Sequence, residues 1–483
     1  MQKLLYILLF GGCAVCQQSN KSFVPPTQDQ NPMNSMTSSM EIQNPSDKTG
    51  HFFGNSQHAF NSSNERSLCV VEVSSTEDVS KTIRIIGSSR TPFAIQSGGH
   101  TSNPGFSGTK GIHISLARLT QIHLSQDKSS VKVGLGNTWV DVYVALNGTG
   151  VNAVGGRVAG PGVGGVTLGG GGFSWLTNQY GLGCDTVISY KLVLPNGTAI
   201  TVDSTTPDLF FALKGGLNRF GIVTSIIFKT FPQPYIVYAG HQVFDASEIP
   251  ALTRAIQHFH ENSADPKSSA ILTLYGGTDN QPVLLLFHDG AGRPAAFDSF
   301  NNFTALVSTV KDQSFASFTG SFSSISNAND KRGAYHTMST SGFTQKFLAA
   351  IANESFHYGQ IAQEHAASVS YHIEPFMKYG KYATDSAFAH DNSPLPLNLL
   401  FLWDKEADDA FWRAIMQQSI DHLTKVATAE GISDSEMLAY PNFAQHTYAG
   451  AQIYGLKNTA RLRDIQLRYD PAGVMFLAGG FSI

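Results

Sequence analysis

Residues 155–172 read "GGRVAGPGVGGVTLGGGG", and ten of these eighteen residues are glycine. Average usage of about 7% would supply one or two. Glycine inside a helix or strand costs roughly 0.5–1 kcal/mol, so the stretch predicts no helix or sheet interior. Its backbone must gain from having no side chains. A flexible linker would carry Ser and lack the interleaved Val158, Val163, Val166 and Leu168. The run reads instead as a loop packed against something flat and anionic, with its amides pointing at it. Arg157 is its only charge, so a phosphate pair bound here would be held by N–H dipoles and not by lysines. The spacing is not that of a P-loop. Nor does it sit in a strand-turn-helix unit followed about twenty residues later by an acidic side chain, as a dinucleotide-binding fingerprint requires.

A second glycine turn precedes it, in "TPFAIQSGGHTSNPGFSG" at 91–108. Phe93, Ala94 and Ile95 read as a short buried strand. Ser97, Gly98 and Gly99 form a turn whose N–H groups can all face one way, and His100 sits where they point. A polar surface loop would read the same way on this stretch alone.

Charged residues make up 14% of the chain, against about 25% for an average soluble domain. With a net charge of −4 and no basic run, there is no electrostatic footprint for nucleic acid. Mean hydropathy is −0.08, that of a globular chain, and 483 residues predict two or three lobes. Lys3, the apolar stretch Leu4 to Phe10 and the small residues before Gln17 have the layout of a secretory signal, so residues 1–16 are expected to be removed. No later stretch reaches the roughly twenty apolar residues of a spanning helix. Six sequons fit a secreted glycoprotein: Asn20, Asn61, Asn147, Asn196, Asn302 and Asn353. Cys13 and Cys16 would leave with the signal. Cys69 and Cys184 remain, either bridged or as two buried thiols.

Residues 17–60, rich in Ser, Asn, Gln and Pro, predict a loosely ordered lead-in. Residues 61–236 then form one lobe. Leu68 to Val73 is a strand. Ser74 with Glu77 reads as a capping box for a helix carrying Val79, Ile83 and Ile86 on one face, stopped by Gly87. A strand ending in "AIQSGGH" completes a βαβ unit. Strands follow at "GIHISL" and "VKVGLG", a helix from Thr138 to Leu146, and a hairpin turning at Pro195-Asn196-Gly197. Residues 237–435 mix strands such as "SAILTLYGG" with helices such as "DAFWRAIMQQSIDHLTKVA", a separate α+β lobe with an antiparallel sheet. Residues 436–483 end in a helix stopped before Pro471.

"QSGGHTSNPGFSG", "GGRVAGPGVGGVTLGGGGFSWLTNQYGLGCD", "DLFFALKGGLNRFGIVT" and the closing "ARLRDIQLRYDPAGV" occur in this order. Together they resemble the berberine bridge enzyme-like branch of the vanillyl-alcohol-oxidase flavoproteins, over roughly residues 40–483. The resemblance implies an α+β chain: a PCMH-type FAD-binding domain of two α/β subdomains, a substrate domain with a helix-covered antiparallel sheet, and a tail returning to the FAD domain. It implies FAD bonded covalently through His100, since a neutral imidazole can attack the electrophilic 8α carbon. Ser97, Gly98, Gly99, Thr101 and Ser102 would flank that bond. Gly160, Gly164, Gly165, Gly170 and Gly171 would pack on the cofactor from the glycine run, with Gly221, Val223 and Asn442 completing its site. Val158 stands where many relatives carry a second tethering cysteine, so one bond is expected and not two. Pro161 departs from the Val or Leu common beside the flavin.

For chemistry the resemblance points to "LAYPNFAQ", where Tyr440 and Asn442 match a Tyr-x-Asn-Tyr pattern but Phe443 replaces its second tyrosine. Tyr440 is the first candidate for base or substrate anchor, provided its pKa of about 10 is lowered. The strand "SVSYHIEPF" puts Ser370, His372 and Glu374 on one face, making His372 the alternative base. The expected activity is oxidation of a CH–OH or CH–N group by hydride transfer to flavin N5, with dioxygen as acceptor and a small secondary metabolite as substrate. No metal, nucleic acid or membrane is expected, and the protein is read as a monomer. Oligosaccharide oxidation is a second reading, and a redox-neutral cyclase or binding protein a third.

Overall fold

The computed structural model describes residues 41–43, 58–277, 280–322 and 331–483. The expected signal, most of the lead-in and Asn20 lie outside the described residues. The lead-in ends earlier than its composition suggests, because Ala59 and Phe60 are buried and Asn61–Ser63 forms a helical turn.

Among the described residues, the first lobe holds two main sheets and a two-stranded pair, Val151–Asn152 with Phe231–Pro232. In one, Cys69–Glu72, Ile112–Ser115 and Phe93–Gln96 run parallel in that order, with Glu41–Gln43 antiparallel on the edge. The connecting helix Thr76–Ser89 buries Val79, Ile83 and Ile86 as its period requires. Its cap lies one residue later than expected: Ser75 accepts from Asp78 N, and Asp78 in turn accepts from Ser74 N. Gly87 does not stop this helix. It runs on to Ser89 and ends on Arg90 at φ 54°, while Gly87 faces Val474, 3.5 Å from where a Cβ would stand. The second sheet is antiparallel, ordered Ile122–Leu124, Ser130–Gly134, Ile222–Lys229, Val187–Val193, Ala199–Val202. The Pro195–Gly197 turn joins its last two strands.

The glycine run itself corrects one expectation. Val163–Leu168 is a short helix, glycines included. Val163 and Leu168 are buried on it, and tertiary packing of that kind outweighs the poor propensity of Gly164 and Gly165.

The second lobe is an antiparallel sheet of eight strands. Its main order is Val307–Ser308, Val237–Val243, Val283–His288, Ser268–Gly276, Ser368–Ile373, Leu395–Trp403, Arg332–Thr340, and Lys311–Gln313 also pairs with Val237–Val243. Helices Ile249–Asn262, Gln345–Glu364 and Asp409–Ala429 bury one apolar face each with this sheet in the second core. Alternation along Ser368–Ile373 then sends Tyr371 to the helix side, where its hydroxyl meets Ser419, and Ser370 and His372 to the other. The tail segment Gly450–Tyr469, helical on both sides of a break at Gly455 (φ 73°), ends before Pro471, and Met475, Ala478 and Phe481 enter the first core. Arg219 secures it by donating to the carbonyls of Met475, Ala478, Gly480 and Phe481.

A buried ion pair bridges the lobes. His390 donates from Nε2 to Asp185 Oδ2 at 2.9 Å and from Nδ1 to Phe388 O at 2.8 Å. Both acceptors lack hydrogens, so each ring nitrogen carries a proton and the imidazole is charged. Burial pulls its pKa down, but the hydrogen bond and charge of Asp185 outweigh that and hold it above 6.5. A raised folded-state pKa stabilises fully below the unfolded value and is lost as pH rises through the folded one. Melting temperature is therefore expected to fall as pH climbs above 6.5, and Asp185→Asn should remove this slope while costing about 3–5 kcal/mol.

Candidate functional site

Between the two cores lies a cavity of about 1070 Å³, above the roughly 300–1,000 Å³ usual for one drug-sized ligand. The glycine run forms one wall by close backbone approach. Gly155 lies against the Trp139 ring, and Gly98 and Gly162 touch so tightly that a Cβ on Gly98 would stand 2.4 Å from Gly162 N. Ser97 stitches the two glycine turns together, donating to Leu135 O at 2.6 Å and accepting from Gly164 N at 3.2 Å. At the far end, a Cβ on Gly170 would meet Tyr440 at 2.9 Å, and one on Gly171 would meet Cys184 Sγ at 2.5 Å. Cys184 and Cys69 are both free thiols. Gly98→Ala must push backbone against backbone, an overpacking worth about 1–3 kcal/mol. A lower melting temperature and lost flavin colour are expected. Gly165→Ala meets nothing within 4 Å and should leave the melting temperature of the bare protein unreduced.

Ser97, Gly98, Gly99, His100 and Thr101 line the cavity, as do Gly164, Gly165, Gly221, Val223 and Asn442. Four expected contacts do not: Ser102, Gly160, Gly170 and Gly171. Ser102 instead accepts from Tyr335 N at 3.0 Å through Oγ and from Arg413 through its carbonyl. Gly160 backs the His100 ring, with a Cβ there 3.4 Å from Cδ2. Gly170 and Gly171 are spent on the internal contacts just described. Val158 and Pro161 both face the cavity.

His100 Nε2 is buried without a hydrogen-bond partner. Burial lowers the ring's pKa to about 4, so it is neutral at pH 7, and a neutral imidazole keeps one nucleophilic lone pair. An unpaired imidazole nitrogen, a side-chain-free wall and room for more than one small ligand together fit FAD with an attachment point.

The two candidate bases fare differently from expectation. Tyr440 and His372 both line the cavity. Burial pushes Tyr440 up to about 12, despite Asn442 donating to its oxygen at 3.0 Å and Arg157 nearby. The proviso of a lowered pKa is not met, so its hydroxyl is a donor. Burial, then the charge of Arg157, lowers His372 to about 3. Ser370 spends its hydrogen on Leu400 O, so His372 Nε2 donates to Ser370 Oγ and Nδ1 is left to accept from Thr273 Oγ1. With both nitrogens engaged, His372 is a neutral structural ring.

The group that composition did not single out for chemistry is Glu374. Its carboxylate is 3% exposed and takes a hydrogen bond from Arg157 Nη2 at 3.0 Å. Arg157 Nη1 lies 2.7 Å from its Oε2 in ionic contact outside hydrogen-bond geometry. Burial raises the Glu374 pKa and Arg157 opposes it. The one charge in the glycine run and the place of Glu374 on the polar face of its strand were the sequence signals for this pair, but nothing local says that the two meet.

Residues 67–203 match the model of an FAD binding domain. An FAD-dependent monooxygenase of Arthrobotrys oligospora is 31% identical over 422 residues, covering 84% of this chain and 79% of that one. An FAD-linked oxidoreductase of Arthroderma benhamiae is 38% identical over 255 residues, spanning 52% of this chain and only about half, 50%, of the relative. In fold, 6-hydroxy-D-nicotine oxidase from Arthrobacter nicotinovorans superposes with a TM-score of 0.75 at 21% identity, covering 92% of this chain and 97% of that one. Berberine bridge enzyme superposes with a TM-score of 0.73 at 18% identity, covering 92% and 96%. Among the described residues no helix is long and apolar enough to cross a membrane. With the cavity, the neutral histidine and these likenesses in hand, the chain belongs to the FAD-dependent oxidoreductases, and it shares its fold with 6-hydroxy-D-nicotine oxidase and berberine bridge enzyme.

Proposed function

We propose that this flavoenzyme is secreted, carries FAD covalently on His100 alone, and oxidises a CH–OH or CH–N group of a small, largely apolar molecule with dioxygen as final acceptor. The observation that carries this reading is the His100 ring, neutral at pH 7, on the wall of a cavity closed by the second lobe's sheet. Bound FAD supplies the two-electron acceptor for hydride removal. Ser97, Gly98, Gly99, Thr101, Gly164, Gly165, Gly221, Val223 and Asn442 would hold it, and Val158 supports a single link.

The sheet side offers Val243, Ile271, Leu285, Leu400 and Leu402, walls suited to an apolar body more than to a sugar chain. Glu374 takes the proton from the hydroxyl or amine whose carbon is oxidised, since its raised pKa lies closer to working pH than that of an ordinary carboxylate. Arg157 holds it in place. Tyr440 donates a hydrogen bond to the substrate. Secretion is supported by the exposure of the sequons Asn147, Asn196, Asn302 and Asn353.

The test is anaerobic mixing of the purified protein with panels of apolar alcohols, amines and oligosaccharides, followed at the flavin absorbance. Bleaching by the alcohols or amines is the expected result. Bleaching by sugars alone would transfer the case to carbohydrate oxidation, and bleaching by nothing would favour a redox-neutral role.

A further inference from the structure

We infer that Phe60 and Tyr335 form a two-ring clamp that presets the His100 imidazole for attachment to the flavin. The inference rests on the tether proposed above. His100 follows two glycines, its ring has one backbone hydrogen bond at its own residue, and its Nε2 has none, so neighbouring rings complete its placement. Phe60 meets it edge to face, with centroids 6.2 Å apart and planes at 74°. Tyr335 lies nearly parallel to it at 6.5 Å and 23°. The two clamp rings pack T-shaped on each other at 5.5 Å, an arrangement that aromatic quadrupoles favour. Both are nearly inaccessible, Phe60 at 0% and Tyr335 at 8% exposure.

The backbone around them shows why the rings stay put. Ala59 N donates to Gly99 O at 2.9 Å, which brings Phe60 onto the histidine turn. Asn61 N donates to Lys331 O, and Ser62 Oγ donates to Gly333 O at 2.6 Å, tying the same segment to the strand Arg332–Thr340. Gly333 leaves the room that Phe60 fills: a Cβ there would stand 2.7 Å from its ring. From the other side, Tyr335 N donates to Ser102 Oγ, two residues past His100. The clamp thus joins a segment before the first lobe, the histidine turn and a strand of the second lobe. The imidazole is set only when both lobes are assembled.

Attachment forms a bond between an imidazole nitrogen and the 8α carbon and releases one proton from each. The electron pair passes into the ring system and from there to dioxygen. A side chain held in the reacting geometry avoids an orientational loss that reaches orders of magnitude in rate. Phe60 and Tyr335 touch His100 and act through it, so they are positioning residues.

The experiment compares wild type with Phe60→Ala, Phe60→Leu, Tyr335→Leu, Tyr335→Phe and His100→Ala, each as flavin-loaded protein and as protein freed of flavin before FAD is added back. It measures total flavin per chain, the fraction that stays with acid-precipitated protein, and the rate at which that fraction grows after FAD is added to flavin-free protein. Expected are unchanged total flavin and attachment slowed by roughly 10-fold or more in Phe60→Ala and Tyr335→Leu, with Tyr335→Phe close to wild type. Phe60→Leu preserves apolar volume without the ring edge, so it answers the question if Phe60→Ala does not fold. Wild-type attachment rates in Phe60→Leu and Tyr335→Leu would overturn the clamp while leaving the tether intact. Equal loss of total and attached flavin would reduce both residues to structural packing and overturn it as well. A wild-type protein whose flavin all extracts into acid would remove the tether and the clamp together.

Discussion

His100→Ala protein is expected to bind FAD yet release all of it on denaturation, whereas wild type should remain yellow after acid precipitation. The effect is all or none because the bond has one candidate nitrogen donor. Burial holds the ring neutral down to about pH 4, so a nucleophilic nitrogen is present throughout the physiological range. Val158 offers no thiol, and Cys184 is sequestered against Gly171, where burial raises its pKa well above the ordinary thiol value. Mass spectrometry of a proteolytic digest checks this directly. The peptide spanning residues 91–108 should carry the flavin mass in wild type and none in the variant. Flavin still attached in His100→Ala protein would mean that another side chain forms the bond.

Glu374→Gln should slow flavin bleaching about 10²–10⁴-fold, the usual contribution of a positioned general base, with total flavin unchanged. The pH profile supplies the second readout. A base must be deprotonated to work, so activity should fall as pH drops through the Glu374 value, and that limb should lie above the ordinary 4.5 because burial raises it. His372, at about 3, and Tyr440, at about 12, titrate too far away to produce such a limb. An acid limb that survives intact in Glu374→Gln would move the proton acceptor elsewhere. Arg157→Ala tests the other half of the pair. It strands a buried carboxylate, which costs about 3–5 kcal/mol, so its first symptom should be a lower melting temperature.

Much of the first lobe was legible because its signals are local. The helix face of Val79, Ile83 and Ile86, the hairpin at Asn196-Gly197 and the stop before Pro471 each depend on residues within a few positions. The errors there were small: the cap moved from Ser74 to Ser75, and the helix ran past Gly87 to Ser89. The helix Val163–Leu168 is a stronger case, since no propensity argument recovers an element held by packing on both sides.

Sequence alone determined that the chain would carry two glycine turns, one of them followed by a histidine, and alternate Ser370, His372 and Glu374 on one strand face. Those are properties of spacing and of missing Cβ atoms. Only the tertiary structure decided what surrounds each of these groups. It brought Arg157 onto Glu374, gave both His372 nitrogens partners, and buried Tyr440 deeply enough to raise its pKa. It also packed the His100 ring against those of Phe60 and Tyr335. A pKa, a free lone pair and a ring orientation all depend on what surrounds the side chain, and here the surroundings come from segments hundreds of residues apart.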